Sequence, residues 1–91
     1  MGKKLILKGN VQGVFCRDYC SKNAQKLGLK GSATNLYDGT VQIILVTNNQ
    51  DKINGFINAI KTNQYNFRFH GNITDIEISD YTGLLSGDYL F

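Results

Sequence analysis

Residues 3–8 alternate: Leu5 and Leu7 face one way, and Lys4, Ile6 and Lys8 the other. That period of two predicts a half-buried strand. Residues 9–14 carry Gly9, Asn10 and Gly13 and read as a loop. Over residues 16–29 the apolar period lengthens, and Cys16, Cys20, Ala24 and Leu27 form one stripe of a helix that Gly28 or Gly31 ends. Residues 30–37 and 40–47 are strand-like runs flanking Asp38-Gly39, a dipeptide that predicts a two-residue type I′ hairpin. In the second run Val41, Ile43 and Leu45 share one face, and Gln42, Ile44 and Val46 the other. Ile53, Phe56, Ile57 and Ile60 then predict a helix over 51–61, weakened at Gly55 by about 1 kcal/mol relative to Ala. Residues 64–71 are irregular and aromatic. Residues 72–80 alternate Thr74, Ile76 and Ile78 against Asp75, Glu77 and Ser79, and residues 89–91 add a short terminal strand.

The predicted order is β-α-β-β-α-β, the ferredoxin-like split βαβ plan of the α+β class, with two helices on one face of an antiparallel sheet. Ninety-one residues with no repeat, low-complexity run or proline fit one domain spanning 1–91. Apolar residues at 42% and charged residues at 19% exclude a disordered tail. Two cysteines cannot form the disulfide framework of a small secreted domain. Leu5-Ile6-Leu7 is too short for a signal-peptide core or a membrane span, so the expected compartment is the cytoplasm, with no membrane partner. Nothing in the chain predicts an oligomer, and a monomer is expected. The fold plan hosts many unrelated functions, so function has to come from a site.

Charge changes the picture through its distribution. The net charge is +3. Lys3, Lys4, Lys8, Arg17, Lys22, Lys26 and Lys30 crowd the first third against a lone Asp18, whereas residues 71–91 hold Asp75, Glu77, Asp80 and Asp88 and no base. The asymmetry is compatible with an anionic partner or with a solvated lysine-rich surface.

The chemistry concentrates in Gly9-Asn10-Val11-Gln12-Gly13-Val14-Phe15-Cys16-Arg17, which joins the first strand to the first helix. Unsatisfied N–H groups and the positive dipole end at a helix start can hold an anion. Gly9 and Gly13 let the backbone curl into a nest, and Arg17 adds a fork of donors suited to phosphate. Each feature alone also fits a tight turn and a surface arginine. Cys16 and Cys20, at i and i+4, read as small hydrophobes; with the lone His70 far away they make no zinc set, and no metal is expected.

GNVQGVFCR resembles the acylphosphatase signature, Gly-x-Val-Gln-Gly-Val-x-x-Arg. LGLKGSATNLYDGTVQI resembles the second block of that family, Gly-Leu-x-Gly, then Asn, then Asp-Gly-x-Val. The resemblance implies the ferredoxin-like fold and hydrolysis of acyl phosphates to a carboxylate and inorganic phosphate, with no cofactor. It implies that Arg17 binds phosphate, that the backbone of Gln12, Gly13, Val14, Phe15, Cys16 and Arg17 forms the phosphate cradle, and that Asn35 holds the attacking water. Inorganic phosphate is then both product and inhibitor. Ser32 stands where the family commonly has Trp, and residues 64–71 lack its Gly-Pro and Ala-x-Val run, so the second half rests on pattern alone.

The rival reading is a non-catalytic ferredoxin-like module that binds an anion or a nucleic acid. RNA-recognition domains share the topology but display aromatics on their central strands, and residues 40–47 contain none, so no nucleic-acid partner is expected.

Overall fold

The computed structural model describes residues 2–91. The elements are β1 (Gly2–Asn10), α1 (Cys16–Lys26), β2 (Gly31–Asn35), β3 (Val41–Leu45), α2 (Gln50–Thr62), β4 (Asn72–Tyr81) and β5 (Tyr89–Leu90). The sheet order is β4-β1-β3-β2-β5, every pairing is antiparallel, and the β-α-β-β-α-β plan is observed.

Cross-strand register explains the core. Ile78, Leu5, Ile43, Ala33 and Tyr89 stand in one row across all five strands. The next row is Ile76, Leu7, Val41 and Asn35. Leu5, Leu7, Ala33, Val41 and Ile43 are fully buried beneath Cys16, Tyr19, Cys20 and Ala24 of α1 and Ile53, Phe56 and Ile60 of α2. Asn35 therefore ends an apolar row on the helix-covered face, at the edge where the strand leaves the core.

Four expectations are corrected. The first strand continues through Asn10, so the predicted loop of 9–14 shrinks, because Gly9 at φ 121° accommodates a bulge against β4. The same bulge leaves Thr74 between the partners of Lys8 and Gly9, so Ile73 and Ile76, not Thr74 and Ile76, pack on the core. Helix α1 stops at Lys26, with Gly28 at φ 69°, three residues before the expected 29; Gly31 opens β2 instead. The Asp38-Gly39 hairpin has three loop residues: Gly39 alone has positive φ, its N–H donates to Leu36 O at 3.3 Å, and Leu36 N–H donates to Thr40 O at 2.9 Å. Asp38 fills the turn by accepting from the Thr40 hydroxyl at 2.6 Å and N–H at 3.0 Å, which holds its carboxyl below the usual range.

Helix α2 begins at a cap that periodicity did not reveal: Asn49 Oδ1 accepts from Asp51 N and Lys52 N at 3.0 and 3.2 Å. Gly55 lies mid-helix, and a methyl group there meets no atom within 4 Å. Gly55→Ala is expected to raise stability by about 1 kcal/mol in urea denaturation. An unchanged midpoint would show that the helix has no conformational freedom left to lose at that position.

Beyond α2 the aromatic segment packs inward, as its alternation implies. Phe67 and Phe69 lie against the core, and Phe69 stacks on Tyr19 with centroids 4.4 Å apart. The Tyr19 hydroxyl donates to Ile60 O at 2.7 Å, and burial pushes the phenol up to about 12. After β4 the chain crosses the sheet face opposite the helices, where the Ser32 hydroxyl donates to Ser86 O at 2.7 Å, and reaches β5 on the far edge. That strap covers the face an RNA-recognition domain would use. Among the described residues, no helix is long and apolar enough to cross a membrane.

Candidate active site

The loop after β1 enters α1 by an unusual route. Phe15 is the N-cap, in left-handed conformation at φ 66° and ψ 22°, with no side-chain cap bond. A Ser, Thr, Asp or Asn there would occupy the first-turn N–H groups; Phe cannot. Gly13 is also left-handed at φ 72°. Among the described residues, the backbone N–H groups of Gly13, Val14, Phe15, Cys16 and Arg17 donate to no backbone carbonyl. A non-glycine residue at positive φ and an uncapped helix start are both locally unfavourable, and such departures concentrate at functional sites.

Phe15 is held from outside. Its ring meets His70 edge-on at 5.6 Å, the Arg68 guanidinium lies 4.0 Å from its centroid, and His70 N–H donates to Val14 O at 3.2 Å. The aromatic segment thus braces the loop.

Beneath the loop opens a cavity of about 300 Å³ lined by Val11, Gly13, Phe15, Cys16, Arg17, Asp18, Asn35 and Tyr89. Arg17 arrives from the first turn of α1 and Asn35 from the end of β2, so one cavity joins residues from separate elements. Cys16 presents its sulfur from a buried position 3.9 Å from Cys20 Sγ. Hydrogen bonding to Cys16 and burial push the Cys20 thiol well up, as expected of a packed hydrophobe.

Gln12 and Val14 do not line the cavity. Val14 packs against the core. The Gln12 amide donates to Leu36 O at 2.6 Å and Thr40 O at 2.9 Å, tying the loop to the hairpin that follows Asn35. Gln12→Ala is expected to cost roughly 1–2 kcal/mol in thermal unfolding, from two partly buried bonds; no loss would mean that the staple does not hold the two segments together.

Sequence reasoning missed Asp88, Tyr89 and Asp18 here. Asp88 Oδ2 lies 3.7 Å from Arg17 Nη1 and accepts from Asn35 N at 3.3 Å. The Tyr89 hydroxyl donates to Asp18 Oδ1 at 3.1 Å, and Asp18 Oδ2 pairs with Lys22 Nζ at 3.1 Å. The signal was the short terminal strand: paired antiparallel to β2, it brings the residue before it to the end of β2, where Asn35 lies. Among the described residues, no three His, Cys, Asp or Glu side chains gather as metal ligands.

A sequence profile of acylphosphatases matches residues 3–86. The chain belongs to the acylphosphatase family. It is 32% identical over 76 residues to an acylphosphatase of Dehalococcoides mccartyi strain 195, covering 84% of this chain and 79% of that protein. It is 32% identical over 79 residues to one of Lactococcus lactis, covering 84% and 81%. The crystal structure of the acylphosphatase from Bacillus subtilis superposes with a TM-score of 0.74 at 27% identity, over 97% of this chain and 92% of that one. In this acylphosphatase-family chain the covered stretch includes the braced loop, Arg17, Asn35 and the hairpin.

Proposed function

We propose that the chain, acting as one domain, hydrolyses the carboxyl–phosphate bond of acyl phosphates at this cavity. The observation that carries the reading is the convergence of Arg17, Asn35 and an uncapped helix N-terminus on one opening. An acyl phosphate is a mixed anhydride whose leaving carboxylate has a pKa of about 4, so its departure requires no general acid. The remaining work is neutralising the phosphoryl oxygens and aiming water in line, which is positioning and electrostatics.

Arg17 and the N–H groups of residues 13–17 hold the phosphoryl oxygens. The Asn35 amide directs water at phosphorus; the new P–O bond forms as the P–O bond to the acyl group breaks, and the carboxylate leaves with that electron pair. An amide accepts no proton, so the water proton passes to a phosphoryl oxygen, giving dihydrogen phosphate. The chain works as a cytoplasmic monomer without metal or organic cofactor, and inorganic phosphate inhibits it competitively by filling the same cradle. The test is loss of absorbance as an aryl acyl phosphate is hydrolysed in the presence of EDTA. Activity abolished by EDTA would overturn the metal-free mechanism, and absence of any turnover would overturn the assignment.

A further inference from the structure

Arg17 faces a carboxylate that the reaction as described does not use. Asp88 Oδ2 sits 3.7 Å from the guanidinium and 3.3 Å from the Asn35 N–H, so one oxygen addresses both proposed site residues. The arrangement is built from both sides of Asp88. Its N–H donates to Thr34 Oγ1 at 3.2 Å, the preceding Ser86 carbonyl is bound by Ser32, and the following Tyr89 is tied to Asp18. Between them Gly87 at φ 152° lies flat on β2, where any side chain would meet Ser32 and Thr34.

As a stabilising contact this pair is weak, because both side chains are about half exposed, at 40% and 50%. Its position is what matters. We propose that Asp88 is a positioning residue for Arg17 and that its charge weakens the hold on product phosphate; the inference rests on the reading of Arg17 as the phosphate ligand. In the free protein the carboxylate turns the guanidinium toward the cavity. With phosphate bound, the same negative charge lies beside the anion and opposes it, so release of inorganic phosphate is faster than a bare arginine would allow.

Asp88→Asn keeps the shape and removes the charge. The expected result is a phosphate inhibition constant lowered roughly two- to fivefold, with kcat and KM both reduced and the melting temperature nearly unchanged. Asp88→Glu should return the phosphate constant toward wild type. Gly87→Ala, whose added methyl would meet Ser32 and Thr34 and so displace the strap and the Asp88 carboxylate with it, should lower the phosphate constant in the same direction. A merely structural role would lower the melting temperature and leave the phosphate constant alone. A constant that is unchanged or raised in Asp88→Asn overturns the proposal. Arg17→Ala separates the two readings. If it retains phosphate inhibition, the assignment of Arg17 fails; if it loses inhibition while Asp88→Asn matches wild type, only the role of Asp88 fails.

Discussion

Arg17→Ala should lower kcat/KM toward an aryl acyl phosphate by on the order of 10³-fold or more and abolish competitive inhibition by phosphate. The guanidinium is the permanent positive charge on the cavity wall, and phosphoryl transfer concentrates negative charge on the equatorial oxygens. Lysine should rescue little, since an ammonium cannot reproduce the planar fork of donors. Stability makes a clean control. The Arg17–Asp88 pair is exposed enough that its loss is worth at most about 1 kcal/mol, so the melting temperature should barely move. A variant that folds normally and turns over at the wild-type rate would remove Arg17 from the mechanism.

Asn35→Ala should lower kcat by about 10²–10³-fold with a much smaller change in KM, because phosphate remains held by Arg17 and the loop. The contrast with Arg17→Ala is the informative part, because the proposed mechanism has one residue bind the substrate and the other serve the nucleophile. Asn35→Asp tests the same assignment from another side. A carboxylate there could accept the proton, but it adds negative charge opposite the incoming phosphate, so KM should rise. Equal losses in kcat and affinity for Asn35→Ala would mean that this residue holds phosphate too, and steady-state kinetics on both variants decide it.

Local physics made most of the fold legible. Leu5 and Leu7, the cysteine stripe, Val41-x-Ile43-x-Leu45 and the Ile53–Ile60 spacing all landed in the core because each obeys the period of its element. Failures came where a single residue re-phases the pattern. One extra residue at Thr74 shifts the inward face of β4, and no alternation rule locates a bulge paired with a glycine 65 positions earlier in the chain. Charge asymmetry has a structural component of its own. The basic first third and acidic last third were compatible with an anionic partner or a solvated surface, and the structure pairs Lys3 with Asp80, Lys8 with Glu77 and Arg17 with Asp88. Much of the asymmetry is the imprint of strands that lie side by side.

Arg17 and Asn35 were legible only through the order of the motif residues; their shared cavity follows from register, which sets Asn35 at the end of the Ile76-Leu7-Val41 row. Asp88 was not legible, because its role comes from a strap crossing the whole sheet. The bonds of the Gln12 side chain to Leu36 and Thr40 were not legible either, because they join residues 24 and 28 positions apart.

The strap also bears on how the chain acquires its shape. Asn35 meets Asp88 across a separation of 53 residues, and Asp18 meets Tyr89 across 71. Closing such long loops carries an entropic cost before any contact rewards it, and chains dominated by distant pairings fold slowly. Helix α1 and the β2–β3 hairpin rest on contacts between near neighbours, whereas Tyr89 on the cavity wall and Asp88 beside it are held by partners far away in the sequence.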